Sequence, residues 1–87
     1  MVTQKTTIKN PTGLHLRPAG LFCKTAAEFK CKVMFRSKNT VANAKSVLSV
    51  LGACIKNGDE IEMICDGEDE QQALKAMIQI IEDGLGE

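Results

Sequence analysis

Two stretches of this chain alternate with period two. Cys31, Val33 and Phe35 are interleaved with Lys32, Met34 and Arg36, and Ile61, Met63 and Cys65 with Glu62, Ile64 and Asp66. Successive side chains of a strand point to opposite faces, so each stretch reads as a strand with one face turned to a core and one to water. Such a sheet needs a cover on its dry side. Two segments with helical spacing supply it. Leu16, Ala19, Phe22, Cys23, Ala26 and Ala27 form one apolar face over 16–29, and Leu74, Met77, Ile78 and Ile81 form another near the C-terminus.

The remaining elements fall between turn signals. Residues 2–8 alternate loosely, with Val2, Gln4, Thr6 and Ile8 on one side, and end at Asn10-Pro11-Thr12-Gly13. Pro18 falls in the first helical turn, where its missing N–H is harmless. Gly20 is a weak point in that helix and calls for a reason, such as close approach of another surface. Lys38-Asn39 reads as a tight turn and Thr40-Val41-Ala42 as a short return strand. Ser46 caps a short helix from Val47 to Leu51 or slightly beyond. Asp69 with Gln72 resembles a capping box for the last helix, and Gly84 stops it. The order is β-α-β-β-α-β-α: an α+β domain, with two long helices and one short one over one face of an antiparallel sheet.

With 87 residues the chain has room for one domain and a small core, so function is expected on the surface. Lys+Arg and Asp+Glu are 11 each, and there is no Trp or Tyr. The basic excess and stacking aromatics of a nucleic-acid binder are both missing. The four cysteines form no C-x-x-C and there is a single histidine, so no metal site is expected. Spacing leaves a disulfide open. The N-terminal MVTQKTTIKN has no apolar segment of the signal-peptide kind, and nothing approaches a membrane span. A cytoplasmic protein with free, mostly buried thiols is the simpler reading.

The chemistry concentrates in Gly13-Leu14-His15-Leu16-Arg17-Pro18, where the one histidine meets the start of a helix. The unpaired N–H groups of a first helical turn and the helix dipole favour negative charge there and disfavour imidazolium. A neutral ring offers a nitrogen lone pair as nucleophile. Arg17 brings a planar, permanently charged partner for phosphate oxygens. A lone histidine is nevertheless more often a surface or capping residue. Ser46 is a second candidate: as an N-cap it needs no further role, but a phosphate would be tolerated at that position. Val47, Leu48 and Leu51 would form a docking patch if exposed near His15, with Lys24 and Lys45 as a positive rim.

The runs NPTGLHLRPAGLF (10–22), VANAKSVLSVLG (41–52) and NGDEIEMICDGEDEQQAL (57–74) resemble HPr, the histidine-containing phosphocarrier family of the bacterial phosphoenolpyruvate–sugar phosphotransferase system. The similarity extends from about Gln4 to Glu87, and implies one HPr-like domain over 1–87. It implies an open-faced β-sandwich: a four-stranded antiparallel sheet covered on one face by three helices. His15 would take phosphate, on Nδ1, from Enzyme I and pass it to Enzyme II A-domains, with Arg17 beside the phosphate and no cofactor or metal. Ser46 matches a serine modified by HPr kinase/phosphorylase with ATP; the modified form would be a poor Enzyme I substrate and would bind the catabolite control protein. The implied partner-binding positions are Gly20, Leu21, Lys24, Val47, Leu48 and Leu51, on a monomer. Leu16 departs from the small residue common after the histidine, and is expected to tune contacts with Enzyme I. A related regulatory protein keeps the serine but lacks the histidine, which this chain has.

Two further readings differ in class. One is a regulatory module switched at Ser46, with His15 only a cap. The other is a small ligand-binding domain, which would need a pocket lined by converging polar groups.

Overall fold

A computed structural model describes residues 1–86; Glu87 lies outside the described residues. The elements are β1 (Val2–Thr7), α1 (Leu16–Ala27), β2 (Lys32–Ser37), β3 (Thr40–Asn43), α2 (Val47–Gly52), β4 (Glu60–Asp66) and α3 (Glu70–Glu82). The strands form one antiparallel sheet in the order β1-β4-β2-β3, and the three helices cover one face. This is the architecture expected from the order of elements.

Register explains why the two alternating stretches behave as a pair. Val33 lies opposite Cys65, Phe35 opposite Met63 and Ser37 opposite Ile61, and all six side chains are buried. A slip of one residue would turn all of them to water. On the open face Arg36 lies opposite Glu62, with Nη1 donating to Oε1 at 3.2 Å. Beneath the helices Phe22 of α1 meets Phe35 of β2 edge to face, with ring centroids 5.6 Å apart.

Several expected boundaries and faces shift. β1 stops at Thr7, yet Ile8 stays buried and extends the pairing: its N–H donates to the Asp59 carbonyl at 2.9 Å and its carbonyl accepts from Gly58 at 2.8 Å. α1 ends at Ala27 rather than Phe29. Its buried stripe is Pro18, Ala19, Phe22, Cys23 and Ala26; Leu16 and Ala27 are exposed. At 100° per residue both lie on the flank of a stripe centred on Ala19, Phe22 and Ala26. In α3 the stripe is Ala73, Met77, Ile78 and Ile81, and Leu74 is only half-buried.

The Asp69–Gln72 capping box does not form. The Asp69 backbone is not in the extended conformation of an N-cap, and its side chain makes no cap bond. The carboxylate instead accepts the amides of Lys30 and Cys31, each at 2.9 Å. Those two bonds tie the α1–β2 connection to the start of α3. Glu70 accepts the Gly67 amide at 3.1 Å and closes the turn before α3.

All four cysteines are unpaired; Cys23, Cys31 and Cys65 are buried and Cys54 is exposed. No described helix is long and apolar enough to cross a membrane.

Candidate functional site

The segment between β1 and α1 is built to meet a second loop. Asn10 Nδ2 donates to the Gly13 carbonyl at 2.6 Å and the Gly13 amide donates to the Asn10 carbonyl at 3.1 Å, closing a tight turn. Gly13 has φ +67, and a Cβ there would stand 2.5 Å from the Ile55 carbonyl oxygen. Glycine is required for both reasons. The Leu14 amide then donates to that same carbonyl at 3.0 Å, and Leu14 is buried. The chain therefore emerges at His15 from a packed, bonded seam between residues 10–14 and 55–56.

His15 is the N-cap of α1 by position, with extended backbone, and its side chain makes no cap hydrogen bond. Its carbonyl accepts the first intrahelical bond, from the Ala19 amide at 2.7 Å. The amides of Leu16 and Arg17 precede that bond and Pro18 has none. No acidic residue occupies the first turn of α1. The ring is exposed, as is Arg17. An exposed imidazole thus stands at a positive helix end, with the guanidinium two residues along the chain. These are the ingredients the sequence singled out.

Ser46 is the N-cap of α2, and its Oγ accepts the Ser49 amide at 3.2 Å. α2 packs against α1. The apolar residues around these two helices are unusually bare. Leu48 is 83% exposed, Leu16 71%, Val47 40% and Leu21 37%. Leu51 is half-buried, while Gly20 and Lys24 are exposed. Leu16, Gly20 and Lys24 follow one another at i, i+4 and i+8 along one side of α1.

Among the described residues nothing packs on Gly20: a Cβ there would meet nothing within 4 Å. One expectation needs correction. Lys45 is not a free rim charge: its Nζ donates to the Phe29 carbonyl at 2.6 Å and anchors the residue before Ser46 to the segment that follows α1.

Beside the histidine lies an open cleft of about 540 Å3, lined among others by Leu14, His15, Leu51, Cys54, Lys56 and Asn57. Cys54, Lys56 and Asn57 were not singled out from the sequence. Cys54 carries φ +53, a left-handed conformation uncommon outside glycine. A non-glycine residue at a tight turn leaves no such mark in sequence. No group of three or more His, Cys, Asp or Glu among the described residues is arranged to hold a metal ion.

Comparison with known proteins decides the family. Residues 2–83 match the model of the phosphotransferase-system HPr component phosphorylation site. The phosphocarrier protein HPr of Lysinibacillus sphaericus is 36% identical over 81 residues, 93% of this chain and 92% of that protein. This chain belongs to the HPr family. Among solved structures, HPr from Thermoanaerobacter tengcongensis superposes with a TM-score of 0.97 at 37% identity, covering 100% of this chain and 98% of that one. The catabolite-repression protein Crh of Bacillus subtilis, a dimer with a swapping domain, gives 0.77 at 35% identity and covers 95% of each chain. The four-stranded sheet under three helices is thus the HPr fold, and the family is that of the phosphotransferase-system phosphocarriers.

Proposed function

We propose that the chain accepts a phosphoryl group on His15 from phospho-Enzyme I and delivers it to Enzyme II A-domains. The observation that carries this reading is the state of His15: an exposed imidazole at the start of α1, with no cap bond and with exposed Leu16, Leu21, Val47 and Leu48 on the two helices around it. In each transfer a ring nitrogen attacks phosphorus in line as the bond to the leaving group breaks; in the next transfer His15 is itself the leaving group. The first-turn amides and Arg17 stabilise the charge on the phosphoryl oxygens. No buried cleft is needed, because the partner's active site closes over the ring. Gly20, Leu21, Lys24, Val47, Leu48 and Leu51 form the docking surface, and the bare Cα of Gly20 lets a partner approach α1 closely. The test is incubation with phosphoenolpyruvate and Enzyme I, which should give an acid-labile adduct. Unchanged labelling of His15→Ala would falsify the assignment.

Likeness to Crh favours a second activity on the same surface. In this reading Ser46 is phosphorylated by an ATP-dependent HPr kinase/phosphorylase. The modified form docks poorly on Enzyme I and binds the catabolite control protein. A dianion beside Val47 and Leu48 would place unpaired charge in an apolar interface, at a cost in partner affinity. Acid-stable phosphate at Ser46 after treatment with kinase and ATP supports it; its absence removes it. The working form is taken as a cytoplasmic monomer, which sedimentation separates from a dimer of the Crh kind.

A further inference from the structure

We infer that Asn57 is a positioning residue for His15, acting from the opposite loop. This inference rests on the phosphocarrier reading of His15. Asn57 lies in the turn between α2 and β4. That turn closes without it: the Asp59 amide donates to the Lys56 carbonyl at 3.0 Å, and Asp59 Oδ2 accepts the Lys56 amide at 3.0 Å. Gly58 supplies the positive φ of +91. The Asn57 side chain is left to reach outward, and it crosses to the segment that leads to the histidine. Its Nδ2 donates to the Lys9 carbonyl at 2.9 Å and to the Asn10 carbonyl at 3.0 Å.

The second of these acceptors matters most. The Asn10 carbonyl also accepts the Gly13 amide, so Asn57 grips the group that closes the turn ahead of His15. A side-chain amide offers two donor hydrogens, enough for one bond to each carbonyl. Two residues beyond Gly13, the ring projects with no cap bond of its own to orient it. The direction of the histidine is therefore inherited from the 10–14 segment, and Asn57 ties that segment to the 55–58 loop. Small displacements of a reacting group are costly in group transfer, since the nucleophile must meet phosphorus in line.

Asn57 is exposed, and the backbone bonds Ile8–Asp59, Gly58–Ile8 and Leu14–Ile55 remain without it. Its removal should leave the fold intact. Asn57→Asp keeps the shape but sets a carboxylate against two carbonyl oxygens; Asn57→Ala removes the amide outright. Both variants and the unmodified chain are compared by amide exchange, by NMR of the His15 ring, and by the kinetics of phosphoryl acceptance from phospho-Enzyme I. The expected result is wild-type melting to within a few degrees, with Leu14 amide exchange faster by about fivefold. The kcat falls by about tenfold, and KM for the chain is little changed. Unaltered Leu14 exchange in both variants overturns the inference. So does a raised KM at constant kcat, which would make Asn57 a docking residue, or lost melting temperature at constant kcat, which would make it merely structural. If the unmodified chain takes no phosphate on His15, the phosphocarrier reading falls. The Leu14 amide and the ring resonances, which need no phosphate, still decide whether Asn57 holds the segment.

Discussion

Asp69 Oδ1 accepts the Cys31 amide at 2.9 Å, joining the start of α3 to the residue that precedes β2. Its other oxygen takes the Lys30 amide, and the two bonds, Lys30 foremost, hold the carboxyl below its ordinary value. A carboxyl depressed in the folded state contributes stability that is present above its unfolded value and lost as pH falls through the folded one. The substitution Asp69→Asn would keep one acceptor oxygen and replace the other with a donor facing an N–H. It should therefore lower the melting temperature at pH 7. The difference from the unmodified chain should shrink as pH drops below the usual carboxylate range. Thermal melts across that range check both statements.

Two glycines should respond oppositely to alanine. Gly13→Ala forces a Cβ onto the Ile55 carbonyl at a positive φ and should cost about 1–3 kcal/mol. Gly20 sits in regular helix with open space around it, so Gly20→Ala should add up to about 1 kcal/mol. Urea unfolding of the two variants reads both signs. The same Gly20 variant should transfer phosphate more slowly if a partner lies against that bare Cα.

Leu48 is 83% exposed, so Leu48→Glu should leave folding unchanged to within about 0.5 kcal/mol. A charge at the centre of the proposed docking surface should raise the KM of Enzyme I for the chain by about tenfold or more. Steady-state transfer kinetics at constant ionic strength distinguish this from a loss of chemistry, which would lower kcat.

The thiols should react in a fixed order. Cys54 is exposed, whereas burial pushes the Cys65 thiol up to about 12, with the nearby Cys31 adding to the effect. Burial also raises Cys23 and Cys31. Since the thiolate is the nucleophile, mild alkylation under weakly alkaline conditions should modify Cys54 alone in the folded chain. Peptide mass analysis before and after adding denaturant checks the order.

The alternation of Val33, Phe35, Ile61, Met63 and Cys65 was legible in the chain because strand side chains repeat every two residues wherever the strand lies. The Gly13–Pro18 motif was legible for a similar reason: a histidine at a helix start is made by neighbours in sequence. Leu16 was misplaced because hydrophobicity marks a helical stripe without giving its exact centre. Asp69 was misread because a local capping box and a bond to residues 38 and 39 positions away use the same carboxylate. Asn57 carries no local signal, because the carbonyls it binds lie 47 and 48 positions upstream.

Local periodicity and backbone chemistry therefore suffice for the elements, their order and the placing of His15 at a helix start, since each depends on interactions within a few residues. Folding alone set which loop closes against His15, which leucines stay bare, and which polar groups are consumed in holding the corners. Those outcomes depend on contacts between distant segments, whose geometry exists only once the core has brought them together.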